Sequence, residues 1–369
     1  MNCRFLFNFL IGALIPLIVG ACAGKPLYPW TTEAAPMALV PVTGAGVNDQ
    51  RGRFREIYCE VLESRDQDWP DYMPCNEALT RVGIEPGGPH TPVSMGESKT
   101  DLLALFVPGV GWECIENWLN IDDSINELLG NFGYGAQALK VDGLSSSANN
   151  ARQIRDAIAA LPEEFDDRPL MLIGYSKGAP DILEAIVNYP ELADRVVAVI
   201  SAAGAIGGSP LANTAKQSDL NLMHLFPGSE CSAGDGGAIE SLRPETRRAW
   251  LAGHPLPDSI AYYSLVTYPT PERISSVLSG MYRKLSQVDA RNDGQLIYYD
   301  QVIPGSTLLG FVNADHWALA VPIARQHRLI GSTFVNRNNY PREALIEALL
   351  RFVEEDLARR AAGSTVGAQ

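Results

Sequence analysis

Short apolar runs alternate with segments of helical periodicity from about residue 100 to the C-terminus. The apolar runs predict strands, and the segments with apolar positions three or four residues apart predict helices. The predicted strands cover residues 102–107, 136–141, 170–173, 196–200, 260–267 and 307–312, and the predicted helices cover residues 115–129, 148–161, 179–187, 271–285 and 342–359. This alternation is typical of an α/β domain whose mostly parallel sheet has helices on both faces.

One internal segment departs from the alternation. Residues 205–258 are rich in Gly, Pro, Ser and other polar residues, and their apolar residues are scattered. Such a composition interrupts the alternation of strands and helices. We therefore expect a main domain over residues 101–369 with a lid or cap inserted at about 205–258.

The segment before the main domain has a helical pattern. The spacing of Phe54, Tyr58 and Val61 predicts an amphipathic helix that starts at residue 51, and a second short helix is expected near residues 76–82. Residues 51–100 are therefore expected to form a helical extension.

The N-terminus has the pattern of a targeting signal. Residues 5–21 are almost wholly apolar and follow Arg4, which is the order of charged and apolar regions in a signal peptide. Cys22 follows Val-Gly-Ala, and this segment resembles the lipobox of bacterial lipoproteins, in which the cysteine receives the lipid. The resemblance implies a lipoprotein signal peptide over residues 1–21 and a membrane anchor at Cys22.

Residues 22–50 are expected to connect that anchor to the domain. They are rich in Pro, Gly and Thr and lack a regular apolar period, which predicts a tether. In the lipoprotein pattern, Ala23 after the cysteine implies an outer-membrane lipoprotein that faces the periplasm or the cell surface. The alternatives are an ordinary secretory signal, which would give a secreted or periplasmic protein, and a simple membrane anchor.

Composition and charge exclude several classes of protein. With 46% hydrophobic and 20% charged residues, the chain lies in the range of globular proteins. Its 29 Lys and Arg residues against 43 Asp and Glu residues give a net charge of -14, which repels a polyanion. Nucleic acid is therefore not expected as a partner.

Four cysteines remain once Cys3 and Cys22 are assigned to the signal and the anchor. They are Cys59, Cys75, Cys114 and Cys231, and no two of them have the C-x-x-C spacing of a zinc or redox site. An even number of cysteines in an exported chain predicts disulfides, for which four residues allow three pairings. We favour Cys59 with Cys75 and Cys114 with Cys231; four free thiols in a cytosolic protein are the alternative.

The sequence carries one motif with a direct chemical meaning. Gly174-Tyr175-Ser176-Lys177-Gly178 has the form G-x-S-x-G and lies between a predicted strand and a predicted helix. A serine on a tight strand-to-helix turn needs small neighbours, because the strand and the helix approach each other closely there. The motif therefore predicts a nucleophile at Ser176, with its Oγ lifted above the sheet.

In this context the chain resembles the α/β-hydrolase family, within it the bacterial lipases and esterases, over about residues 100–360. That family places its triad in the order serine, acid, histidine. His316 follows the last predicted strand and is the preferred general base, because Arg325 and Arg328 beside His327 would destabilise an imidazolium there. The other histidines lie before the serine or in or beside the insertion: His90, His224 and His254.

The triad acid has two candidates. Asn292-Asp293-Gly294 resembles the segment that carries the aspartate in bacterial lipases, which implies Asp293. Asp300 is the reserve candidate, and Asp315 is too close in sequence to approach Nδ1 of His316 easily.

The resemblance also implies an oxyanion hole. Its donors would be the backbone N–H of Lys177 and an N–H from the loop at residues 108–112, with Val110 preferred and Gly111 as the alternative. This loop has proline where the family usually has histidine. The run at residues 207–212 resembles the Gly-Ser-Pro-x-Ala segment of lipases without its usual histidine.

Together these features predict a serine hydrolase that cleaves carboxylic esters, small or lipid, through an acyl-enzyme. No metal-binding or nucleotide-binding motif is found in a convincing context, so neither a metal nor another cofactor is expected. Alternatives on the same fold are a polyester depolymerase, a lysophospholipase or a peptidase. A non-catalytic binding protein is the alternative from another class, because a fold does not fix a function.

Overall fold

Eight strands form one sheet in the computed structural model, which describes residues 46–115, 130, 133–216 and 232–366. They lie in the order β1-β8-β7-β6-β5-β3-β4 with every neighbouring pair parallel, and β2 pairs antiparallel with β8. The carboxyl ends of β3 to β8 therefore share one edge of the sheet, which is where α/β proteins bind their ligands. The strands are β1 (Asn48–Asp49), β2 (Leu79–Thr80), β3 (Leu103–Val107), β4 (Gly135–Ala138), β5 (Leu170–Tyr175), β6 (Val196–Ala202), β7 (Ala261–Thr267) and β8 (Thr307–Val312).

Helices cover both faces of this sheet. The long ones cover residues 51–65 and 342–366 on one face and residues 147–159 and 178–188 on the other. The described α-helices are α1 (Arg51–Arg65), α2 (Cys75–Ala78), α3 (Ser147–Ala159), α4 (Gly178–Asn188), α5 (Ala238–Ser241), α6 (Pro244–Gly253), α7 (Ser279–Leu285), α8 (His316–Ala320), α9 (Ile323–Gln326), α10 (Arg328–Thr333) and α11 (Arg342–Val366).

Side chains of β3 show how the sheet is buried. Leu103, Leu105 and Val107 belong to the core under α3 and α4, whereas Ala104 and Phe106 belong to the core under α1 and α11. All five are buried. A strand covered on both faces has a continuous apolar run rather than alternating apolar and polar residues. The sequence of β3 has such a run. The predicted α/β class with helices on both faces is confirmed.

The N-terminal part of the chain contributes more to the sheet than the sequence predicts. β1 lies inside the segment expected to be a tether, and it pairs with Thr307 and Leu308 at the start of β8. The helix expected over residues 76–82 is instead the short α2 followed by β2. Two-residue strands are too short to show a period, so the sequence gives no signal for them. Side chains of α1 and β2, among them Phe54, Ile57 and Leu79, belong to the same core as those of the main domain.

A disulfide between Cys59 and Cys75 joins α1 to α2. Cys114 is also disulfide-bonded. Cys231 lies outside the described residues, and its pairing with Cys114 stays a prediction.

The helix expected over residues 271–285 is interrupted. A 3-10 turn covers Pro271–Arg273, and α7 starts only at Ser279. Between them, the N–H of Ser275 donates to Asp315 Oδ2 and the N–H of Val277 donates to the carbonyl of Phe334, both at 2.9 Å. These donors bond to distant groups instead of the preceding helical turn, which a local pattern cannot reveal.

The predicted insertion is described over residues 205–216 and 232–258, where it forms a 3-10 turn, α5 and α6. Other predictions fall outside the described residues: the signal peptide at 1–21, Cys22, most of the tether, and residues 116–129 of the first predicted helix. Within the described ranges, no helix is long and apolar enough to cross a membrane.

Candidate active site

Ser176 lies on a strained turn between β5 and α4. Its φ is +54°, a left-handed conformation that is uncommon for a residue with a side chain. The flanking glycines permit the turn: a Cβ on Gly174 would lie 2.5 Å from Ala179 Cα, and a Cβ on Gly178 would lie 2.1 Å from the carbonyl oxygen of Val107. The turn has the form of a nucleophile elbow, which presents the serine hydroxyl beyond the carboxyl end of the strand.

His316 begins α8, just after β8, and faces the serine. Its Nε2 lies 2.9 Å from Ser176 Oγ. The backbone holds the ring in place, because the N–H of His316 donates to the carbonyl of Asp293 at 3.0 Å and the Tyr175 hydroxyl donates to the carbonyl of His316 at 2.7 Å. The imidazole is thus within hydrogen-bond reach of the proton that a general base would take.

Asp293 completes the arrangement from the loop that precedes β8. Its Oδ2 lies 2.8 Å from His316 Nδ1 and also accepts hydrogen bonds from the Thr267 hydroxyl and the Gln301 amide. Its Oδ1 accepts from the backbone N–H groups of Gln295 and Leu296, at 2.8 and 2.6 Å. The side chain is fully buried, so these donors compensate the cost of removing a carboxylate from solvent.

The other two aspartates have different partners. Asp315 caps α8 through Oδ1, which accepts from the N–H of Ala318 at 2.8 Å, and burial raises the pKa of its carboxyl. Asp300 lies under the insertion: its carbonyl accepts from Gly207, and its Oδ1 lies 3.7 Å from Arg248. Of the three carboxylates, Asp293 is the one in contact with His316 Nδ1.

Asp300 makes stability depend on pH. Burial raises the pKa of Asp300 to about 7, partly offset by Arg248 and reinforced by Asp289, whereas the unfolded chain titrates near about 4. The folded protein therefore holds this proton more tightly, and the stability that the proton contributes is present below about pH 4 and lost as the pH rises to about 7.

We expect Asp300→Asn to remove this dependence. The free energy of unfolding of the variant relative to the native protein should rise between about pH 4 and pH 7 and stay constant above it. Urea unfolding across that range measures the difference, with Asp258→Asn, at an exposed carboxylate, as the control. A difference that does not change with pH would contradict the expectation.

The two proposed oxyanion donors belong to two segments that border the serine. Lys177 directly follows it, and Val110 lies in the loop after β3, next to Gly109, where an added Cβ would be 2.8 Å from Ser176 Cβ. Gly111 has a φ of +63° and turns the chain back. Within the described part of the chain, the backbone N–H of Lys177 has no hydrogen-bond acceptor, and neither has that of Val110 or of Gly111, the alternative donor. Two unpaired N–H groups near a nucleophile are what an oxyanion hole requires.

A cavity of about 270 Å³ adjoins the same loop. Its wall includes Pro108 and Trp112 of the loop and Lys140 and Asp142 beyond β4. Gly109 of this loop therefore faces Ser176, whereas Pro108 and Trp112 of the same loop face the cavity.

Sequence reasoning missed several residues that shape the site. Thr267 and Gln301 bind the carboxylate of Asp293, and Tyr175 fixes the backbone of His316. The position of Tyr175 inside the serine motif is a signal that could have marked it as part of the site. Thr267 and Gln301 reach Asp293 only through tertiary contacts, which leave no local pattern in the sequence. Among the described residues, no group of three or more His, Cys, Asp and Glu side chains could hold a metal ion.

Comparison with solved structures finds enzymes of similar fold. A carboxyl esterase of metagenomic origin is 39% identical, with a TM-score of 0.80, and the match covers 90% of this chain and 100% of that chain. The mature form of a lipase from Bacillus licheniformis is 18% identical, with a TM-score of 0.49 and coverage of 68% and 96%. A lipase from Pelosinus fermentans is 12% identical, with a TM-score of 0.49 and coverage of 70% and 98%. No family model and no curated protein matches the chain.

Proposed function

Because the chain belongs to the carboxyl esterases of the α/β-hydrolase type, we propose that it hydrolyses carboxylic esters with Ser176 as nucleophile, His316 as general base and Asp293 as the acid that orients His316. The observation that carries the assignment is the continuous contact from Ser176 Oγ to His316 Nε2, and from His316 Nδ1 to Asp293 Oδ2, at 2.9 and 2.8 Å. This geometry can activate a serine.

The first half of the reaction forms an acyl-enzyme. Oγ of Ser176 attacks the ester carbonyl carbon while Nε2 of His316 takes the hydroxyl proton. Asp293 stabilises the imidazolium, and the N–H groups of Val110 and Lys177 donate to the oxyanion. When the tetrahedral intermediate collapses, the ester C–O bond breaks and His316 returns the proton to the departing alcohol.

The second half releases the acid. Water attacks the acyl carbonyl while His316 takes its proton, the same two N–H groups bind the second oxyanion, and the bond to Ser176 Oγ breaks as His316 protonates it. The enzyme is then ready for another ester.

A substrate panel with a serine-directed inhibitor tests this function. The full chain is assayed with p-nitrophenyl esters from acetate to palmitate, before and after treatment with an alkyl fluorophosphonate. We expect hydrolysis that disappears in step with phosphonylation, and the relative rates along the panel give the preferred acyl length. Hydrolysis that persists in fully phosphonylated protein would contradict the serine mechanism.

We also propose that Cys22 carries a lipid and anchors the enzyme to the outer membrane. The support is the order of Arg4, the apolar residues 5–21 and Cys22 in the sequence. Because β1 is parallel to β8, residue 46 enters the domain near the amino ends of the strands, away from the edge that carries Ser176. The 24 residues from 22 to 45 could extend about 80 Å, which leaves the site free to face soluble or membrane esters.

Replacing Cys22 with serine tests the anchor. Serine has no thiol to receive the lipid, so we expect Cys22→Ser to abolish incorporation of a fatty-acid probe and to block processing at this site. Cys3→Ser is the matched control, because Cys3 lies in the segment that processing would remove, and it should label like the native protein. If the Cys22→Ser variant incorporated as much probe as the native protein, the lipid would be attached to another residue.

A further inference from the structure

The residue after the proposed nucleophile carries a buried charge. Lys177 occupies a variable position of the G-x-S-x-G motif, yet its side chain is only 1% exposed. Removing an ammonium from water is costly unless a partner compensates it. Its presence here needs a local explanation.

Asp181, one turn further along α4, is that partner. Nζ of Lys177 lies 2.8 Å from both carboxylate oxygens of Asp181, whose side chain is also 1% exposed. The amide of Asn150, on α3, donates to Asp181 Oδ2 at 2.7 Å. The carboxylate is thus fixed from a second helix and in turn fixes the lysine.

We propose that Asp181 is a positioning residue for the oxyanion hole. This rests on the proposed function, in which the N–H of Lys177 donates to the oxyanion. Because the Lys177 side chain is bound to Asp181, a rotation of its peptide N–H away from Ser176 would strain this buried ion pair. The next residue is closely confined as well, since a Cβ on Gly178 would lie 2.1 Å from the carbonyl oxygen of Val107.

The same helix supplies a matched control. Glu184, almost one turn beyond Asp181, forms a buried ion pair with Arg247 of α6, with Nη1 and Oε1 2.6 Å apart. This pair ties α4 to the inserted segment and makes no hydrogen bond to Lys177 or Asp181. It has the same chemistry and a similar burial, and the charges of Lys177 and Asp181 act on Glu184 only through space.

The experiment compares neutralised versions of the two pairs. Asp181→Asn, the double variant Lys177→Met/Asp181→Asn, and the control Glu184→Gln/Arg247→Met are assayed on one p-nitrophenyl ester. Inhibition by an alkyl trifluoromethyl ketone, which forms a tetrahedral oxyanion with the serine, is measured in parallel. Phosphonylated Ser176 peptide is counted in each preparation so that rates are expressed per labelled site.

We expect both Asp181 variants to lose about 10- to 100-fold in kcat, at or below the loss caused by deleting an oxyanion donor. KM should stay within about threefold while the inhibition constant of the ketone rises in parallel with the loss in kcat, because only the tetrahedral species uses the N–H. The Glu184/Arg247 control should keep kcat within about threefold. If Asp181→Asn does not fold, the double variant decides, because it leaves no unpaired charge.

The proposal would be overturned if the double variant kept the kcat and the ketone affinity of the native protein. It would also be overturned if the Glu184/Arg247 control lost as much kcat as the Asp181 variants. An absence of label on native Ser176 would instead overturn the proposed function, so the two failures are distinguishable.

Discussion

Replacing Ser176 with alanine is expected to lower kcat for ester hydrolysis by about 10⁴-fold or more, with the fold unchanged. Alanine keeps the backbone of the turn and removes the one oxygen that lies 2.9 Å from His316 Nε2. The oxyanion donors and the binding surface remain, but they cannot form an acyl-enzyme without a nucleophile. Initial rates on a short-chain p-nitrophenyl ester measure the loss, and the thermal midpoint confirms folding.

The control for this variant is Ser64→Ala, at an exposed position of α1, which should keep the native rate. Residual activity above about 10% in purified Ser176→Ala would contradict the assignment, provided that it is not removed by further purification.

Replacing Asp293 with asparagine is expected to lower kcat by about 10⁴-fold, the scale seen when a triad aspartate loses its charge. The side chain keeps its size, but an amide in place of Oδ2 can present a donor to Nδ1 of His316 and favour the wrong tautomer. Nε2 would then carry the proton and could not accept one from Ser176. Rates are measured on the same ester, with the thermal midpoint as the check on folding.

Asp300→Asn is the matched control in the same loop region, and it should change kcat by no more than a few-fold, because Asp300 does not contact His316. The opposite ranking of the two variants would transfer the acid role to Asp300.

The fold could be predicted where a strand or helix buries a long apolar surface. β8 matches residues 307–312 as predicted, because a strand covered on both faces requires an unbroken apolar run. β1 and β2 could not be predicted, since two residues carry no period. The break in the helix at 274–278 depends on bonds from Ser275 and Val277 to residues 40 or more positions away.

The order of the site residues along the chain could be predicted from the sequence. The residues that hold them in place were harder to predict. The serine motif can be interpreted from its own glycines. His316 and Asp293 follow from the order of triad residues in the family that the chain resembles. Asp181 lies on the helix predicted over residues 179–187, and Lys177 lies two residues before it, so their four-residue spacing, which favours an ion pair on a helix, was only partly visible. Their burial was not visible in the sequence, because it depends on the packing of α3 against α4.

The most direct test of the central claim is the site of covalent trapping. The full chain is treated with an alkyl fluorophosphonate, digested and mapped by mass spectrometry, alongside His316→Ala. We predict a single phosphonyl group on Ser176, formed in proportion to the loss of ester hydrolysis and far more slowly in the His316 variant. A phosphonyl group on another residue, or ester hydrolysis that is lost while Ser176 stays unmodified, would contradict the account.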